Sequence, residues 1–135
     1  MHPSRKLLVV IALLAPQAAG AQSAKPALYT DAQAQAGAGV YYQACAACHG
    51  QQLEGVAAPA LKGPAFGEMA TAQTLTADAL LDVIANTMPQ SDPGSLKPDD
   101  YNAVTAYILQ QNGYPSGSAA LAKDAAGLKD TKVTP

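Results

Sequence analysis

The chain has 135 residues, 49% of them hydrophobic and 13% charged, with eight Lys and Arg against ten Asp and Glu. A formal charge of −2 excludes the strongly basic surface that a nucleic-acid partner would require. The length suits a single domain, which on size alone buries about two thirds of its unfolded surface.

At the N-terminus, Met1-His2-Pro3-Ser4-Arg5-Lys6 puts positive charge ahead of an apolar run from Leu7 to Ala15, and the small residues Ala19-Gly20-Ala21 follow. This pattern predicts a secretory signal peptide, residues 1–21, cut after Ala21. The run is about nine residues, against the roughly 20 needed to cross a bilayer, so no membrane span is expected in the mature chain. Export to the periplasm follows. Removing Arg5 and Lys6 leaves six basic against ten acidic residues in a mature chain of about 114 residues, whose single histidine is His49.

Residues 22–33 are small, polar and proline-containing, and read as a flexible lead-in. Within it Thr30 or Asp31 can cap a first helix that runs to about Ala47. Gly37, Tyr41 and Cys45 are spaced four apart and share one helical face. A glycine inside a helix costs about 1 kcal/mol relative to alanine, a cost that a close helix crossing at Gly37 would justify.

That helix leads into Cys45-Ala46-Ala47-Cys48-His49, and C-x-x-C-H is the attachment signature of a c-type haem. Two thiols within one helical turn can add to the two vinyl groups on one porphyrin edge, and the adjacent imidazole then falls beneath the iron. Zinc binding would usually need four protein ligands, and the mature chain offers no further Cys or His. A redox-active dithiol normally opens a helix at the end of a strand, and nothing before Cys45 reads as a strand. Export agrees with haem, because c-type haem is joined to protein outside the bacterial cytoplasm.

Gly50, Gly55, Pro59, Gly63, Pro64 and Gly67 punctuate residues 50–70, which read as a long loop wrapped around the cofactor. Thr76 caps the next helix, which carries Leu80, Leu81, Val83 and Ile84 and ends before Met88-Pro89. A second loop covers Gln90 to Lys97. The last helix starts with Pro98 at its first position and Asp99 and Asp100 in its first turn, where exposed amides favour acids. It runs through Tyr101, Val104, Tyr107 and Ile108 to a stop at Gly113, with Pro115 beyond. Residues 115–135, with isolated Leu121, Leu128 and Val133, read as a C-terminal tail that either packs loosely or stays mobile. No strand pattern of useful length appears.

With His49 used, the sixth iron ligand is left to Met69, Met88, a lysine or an open site. Met88 is the preferred choice, because it stands at the exit of a helix before Pro89, in a turn that can be aimed back over the haem. Met69 is expected in a Gly- and Ala-rich loop only twenty residues past His49.

Together these residues resemble a class I cytochrome c over roughly residues 34–114. The resemblance implies an all-α class I cytochrome c fold, three to four helices with long loops wrapped around one covalent haem. Gly37, Tyr41 and Tyr107 match the positions where the family's N- and C-terminal helices cross. The stretch Ala58-Pro59-Ala60-Leu61-Lys62-Gly63 resembles its proline loop, which implies that Pro59 offers its carbonyl to His49 Nδ1–H and that Leu61 packs on the haem face. The segment from Met88-Pro89 to Tyr114-Pro115 is similar to bacterial cytochromes c that serve periplasmic dehydrogenases. There is no tryptophan to cover a haem propionate; Lys62 is a candidate by position.

The function so implied is one-electron shuttling rather than catalysis, with haem c held by Cys45 and Cys48, His49 and Met88 as axial ligands, and redox proteins as donor and acceptor: a dehydrogenase, a cytochrome complex or a terminal oxidase. The rivals are a cytochrome c subunit of a periplasmic quinoprotein or flavoprotein dehydrogenase, a haem-based gas or redox sensor with a labile sixth site, and, more distantly, a dithiol oxidoreductase.

Overall fold

The computed structural model describes residues 24–134; the signal peptide expected over 1–21 lies outside the described residues. Five helices are present among them: α1 (Asp31–Ala44), α2 (Ala46–His49), α3 (Gly63–Ala72), α4 (Ala77–Thr87) and α5 (Pro98–Gln111). There are no strands among the described residues, only an isolated bridge between Thr76 and Lys132. The all-α expectation holds. None of these helices is long and apolar enough to cross a membrane.

Local chemistry sets the boundaries. Thr30 is in extended backbone, and its hydroxyl accepts the Gln33 N–H at 3.2 Å, satisfying an amide that the first turn of α1 leaves unpaired. Thr76 does the same for α4 through Ala79 N–H. Pro98 opens α5, with Asp99 and Asp100 in its first turn, and Gly113 at φ 77° lies just beyond its end.

Ala34, Gly37 and Tyr41 form the buried face of α1, and this face crosses α5. A Cβ added to Gly37 would lie 1.9 Å from the Ala103 carbonyl oxygen, so only glycine allows the two backbones to approach this closely. Tyr41 packs beside Tyr107 at 5.4 Å between ring centroids. The helix α5 is buried from Ala103 to Leu109 and also receives α4, which contributes Leu80, Leu81 and Ile84 to the core.

Two parts differ from expectation. Residues 63–70, read as the end of a loop, belong to α3, with Gly63 at φ 76° turning the chain into it and Pro64 at its start. Phe66 and Ala70, four apart, are buried in the core, and this apolar pair outweighs the cost of the glycines. Met69 is accordingly on a helix, half-buried against the core, rather than in a loop.

The packed body also extends past 34–114 at both ends. Leu28 and Tyr29 are buried and α1 begins at Asp31, so the second half of the lead-in is fixed by burial rather than flexible. After α5 the chain forms a belt in which Leu121, Leu128 and Val133 are almost completely buried. Backbone bonds tie the belt to α4 and the turn before it: Val133 N–H to Leu75 O at 2.7 Å, and Ala77 N–H to Thr131 O at 2.9 Å. Lys25 donates to Asn112 O and Thr134 O, both at 2.9 Å, and so joins the start of the body to its end.

Candidate haem site

The attachment motif sits at a break in the helix. Cys45 leaves α1 geometry at φ −123°, while its N–H still bonds Tyr41 O at 2.9 Å and its own carbonyl accepts the His49 N–H at 3.0 Å. The motif therefore forms a single turn, α2, pinned at both ends. Beyond it, Gly50 at φ 88° starts a loop that folds back onto the motif: Gly55 N–H bonds His49 O at 2.7 Å, and the amides of Val56, Ala57 and Ala58 converge on Cys48 O. The hydroxyl of Tyr41 donates to Gly50 O at 2.7 Å and anchors the start of this loop to α1.

The loop brings Pro59 to His49, whose Nδ1 lies 2.7 Å from the Pro59 carbonyl oxygen. A carbonyl only accepts, so Nδ1 holds the proton and Nε2 is left with its lone pair, the tautomer a metal needs. The residue is only 9% exposed. Leu61 follows, half-buried against the core, with its N–H on Leu53 O at 2.9 Å. Lys62 stands immediately before α3 and contributes to keeping the Glu54 carboxyl below the usual range, after the larger effect of the Glu54 and Gln52 backbone amides.

Cys45 is half-buried and Cys48 exposed, and they are not joined to each other. Burial, then the neighbouring Cys48, pushes the Cys45 thiol up. A dithiol oxidoreductase needs the opposite, a thiol lowered toward neutrality. A zinc site lacks ligands, since no group of three or more His, Cys, Asp and Glu gathers among the described residues.

Met88 ends α4. Its N–H bonds Ile84 O at 3.0 Å, its backbone turns extended, and its side chain is half-buried at the edge of the core. Two residues not singled out for the site act on these segments, one from α5 and one from the cap at its C-terminal end. The Tyr101 hydroxyl donates to Met88 O at 2.8 Å, and the Asn112 side-chain amide donates to Leu61 O at 2.9 Å. Neither leaves a local signal, because their partners are 13 and 51 residues away.

The donor set suits a c-type haem: two thiols within one turn, and an adjacent imidazole with its free lone pair fixed at Nε2. No curated protein matches the chain. Among solved structures, the sulfane dehydrogenase SoxCD from Paracoccus pantotrophus matches with a TM-score of 0.51 and 26% identity, over 64% of this chain and 46% of that one. The thiosulfate dehydrogenase TsdBA from Marichromatium purpuratum matches at 30% identity, over 63% of this chain and 20% of that one, with a TM-score of 0.44. The chain thus spans less than half the length of either. The family model described as cytochrome C oxidase, cbb3-type, subunit III matches residues 32–108. That is more than half of the sequence, and the chain belongs to this family of class I-like cytochrome c domains, which carry electrons on haem c.

Proposed function

We propose that the protein is a periplasmic shuttle for single electrons, holding one haem c through thioethers from Cys45 and Cys48, with His49 and Met88 as axial ligands. The observation that carries this reading is the 2.7 Å contact from His49 Nδ1 to Pro59 O inside a C-x-x-C-H turn. When bound, the haem supplies an iron that alternates between ferrous and ferric states.

Everything else falls to the chain. Pro59 orients the imidazole and raises its basicity as a ligand. Leu61 supplies apolar cover. Met88 offers a thioether, which raises the potential relative to a second imidazole and suits delivery to a terminal oxidase. Residues 1–21 direct export and are removed, and 34–114 form the haem-binding part of the body.

A second reading, a cytochrome c subunit of a periplasmic dehydrogenase, is favoured by the likeness to SoxCD, itself a dehydrogenase. Co-purification with a large catalytic chain would select it over the free shuttle. The first experiment is an optical spectrum of the exported protein, oxidised and reduced, with a denatured pyridine spectrum for covalent haem. Sharp c-type bands and a far-red sulfur-to-iron band lost in Met88→Ala are the expected result. Loss of the far-red band in wild type, with carbon monoxide bound by the native ferrous form, would favour the sensor. A colourless protein from a host able to attach haem c would end the haem reading.

A further inference from the structure

Between Met88 and Leu96 the chain has little to hold itself in place. Residues 90–95 are all exposed, and the bonds within the segment are short-range, Asp92 N–H to Pro89 O at 2.9 Å and Ser95 N–H to Asp92 O at 3.3 Å. Its two ends meet at one hydroxyl. Tyr101 Oη donates to Met88 O at 2.8 Å and accepts the Leu96 N–H at 3.3 Å. The tyrosine is 5% exposed and belongs to the core, and Thr105 Oγ1 donates to its carbonyl at 2.9 Å from the next turn of α5.

The Met88 backbone is therefore held from two sides. Its N–H belongs to α4 through Ile84 O, and its carbonyl belongs to α5 through Tyr101. Removing the hydroxyl leaves the first anchor and frees the peptide plane that follows Met88. A thioether is a neutral, weak donor, so its hold on a metal depends on how well its backbone is kept in place.

We propose that Tyr101 is a positioning residue that keeps Met88 seated and so sets how readily the sixth site opens; this rests on the reading of Met88 as axial ligand. The test uses exported holoprotein in four forms: wild type, Tyr101→Phe, Met88→Ala, and Leu128→Ala as a control for general destabilisation. The readouts are the far-red band, the affinity of the ferric protein for imidazole, and amide hydrogen exchange at Leu96 in the wild type.

Tyr101→Phe should bind imidazole about tenfold more tightly than wild type, the ratio that corresponds to losing one buried hydrogen bond at the ligand segment. Leu128→Ala should leave this affinity unchanged, and the Leu96 amide should exchange far more slowly than its neighbours Ser91 and Gly94. Wild-type imidazole affinity in Tyr101→Phe, with the far-red band lost in Met88→Ala, overturns the positioning role and leaves the ligand reading standing. A band that survives Met88→Ala removes the ligand reading and this proposal with it. Should Tyr101→Phe fail to fold, a fast-exchanging Leu96 amide in the wild type overturns the proposal without the variant.

Discussion

Where α1 crosses α5, backbone meets backbone: Gly37 lies against the Ala103 carbonyl, and Tyr41 and Tyr107 close the contact one turn on. The belt after α5 also buries large apolar side chains, Leu121, Leu128 and Val133, yet it forms no helix. The two regions meet the same requirement by different routes. A helix satisfies its own amides and carbonyls, so the crossing needs only matching shape. An irregular segment must find a partner for each buried polar group, and the belt borrows them from the body. Gln33 engages Leu121 with both ends of its side-chain amide, Nε2 donating to the carbonyl at 2.6 Å and Oε1 accepting the N–H at 2.7 Å, a side-chain imitation of a strand pair. Tyr29 donates to the Tyr114 carbonyl, and the Tyr114 hydroxyl donates to Lys132 O at 2.8 Å.

Breaking the crossing should have the largest effect. In Gly37→Val the new side chain meets backbone, which cannot swing aside, and the expected loss exceeds the roughly 1 to 3 kcal/mol usual for overpacking. Denaturant unfolding of the holoprotein measures it, and a loss below about 1 kcal/mol would mean that the helices can slide apart. The belt should give way more gently. Leu128→Ala removes a fully buried side chain, but the irregular backbone around it can partly collapse into the space, so about 2 to 3 kcal/mol is expected, the low end for such truncations.

The same contrast decides what could be read in advance. Thr30 and Thr76 announce their helices because a side-chain cap acts on an amide three residues away, and Pro98 because its fixed backbone suits a helix's first position. The four-residue spacing of Gly37 and Tyr41 announced a face, and Gly37 a close approach, whereas Cys45, read onto the same face, lies past the end of α1 where the helix breaks. The adjacency of His49 to Cys48 carried the proposal of haem. By contrast, α3 was hidden because Gly63, Pro64 and Gly67 look like loop punctuation, although Pro64 is a helix opener once Gly63 has turned the chain. The belt was hidden because Leu121, Leu128 and Val133 follow neither helical nor strand period, and their partners lie in parts of the sequence as distant as Gln33 and Leu75. Tyr101 was legible as a core aromatic, whereas its hydroxyl's role depends on where the chain returns after Met88.

A change of pH should weaken the crossing in a predictable direction. Burial pushes the phenols of Tyr41 and Tyr107 up to about 12. Their neutral forms are thus kept in the folded protein while the unfolded chain ionises near pH 10. The unfolded state then binds fewer protons, so stability is intact below pH 10 and falls between about pH 10 and 12. The slope is about 1.4 kcal/mol per pH unit for each tyrosine. Unfolding at stepped alkaline pH, with absorbance of the ionising phenols, checks this, and Tyr107→Phe should make the fall shallower by roughly one such increment. An alkaline slope that ignores Tyr107→Phe would place the vulnerable group elsewhere.

The smallest effect separates what holds the belt from what merely decorates it. Lys123 reaches from the belt to Asp82 on α4, with Nζ 3.4 Å from the carboxylate, but the two side chains are 68% and 45% exposed. Water and salt screen such a pair, and fixing two long side chains offsets much of the attraction. Lys123→Ala should therefore change stability by less than about 0.5 kcal/mol, with the remainder vanishing in high salt. The binding of the belt lies in its buried leucines, in the Leu121 and Val133 amides paired to Gln33 and Leu75, and in the Thr131 carbonyl that accepts the Ala77 N–H. A loss near that of Leu128→Ala would reverse the assignment and make the belt an electrostatic attachment.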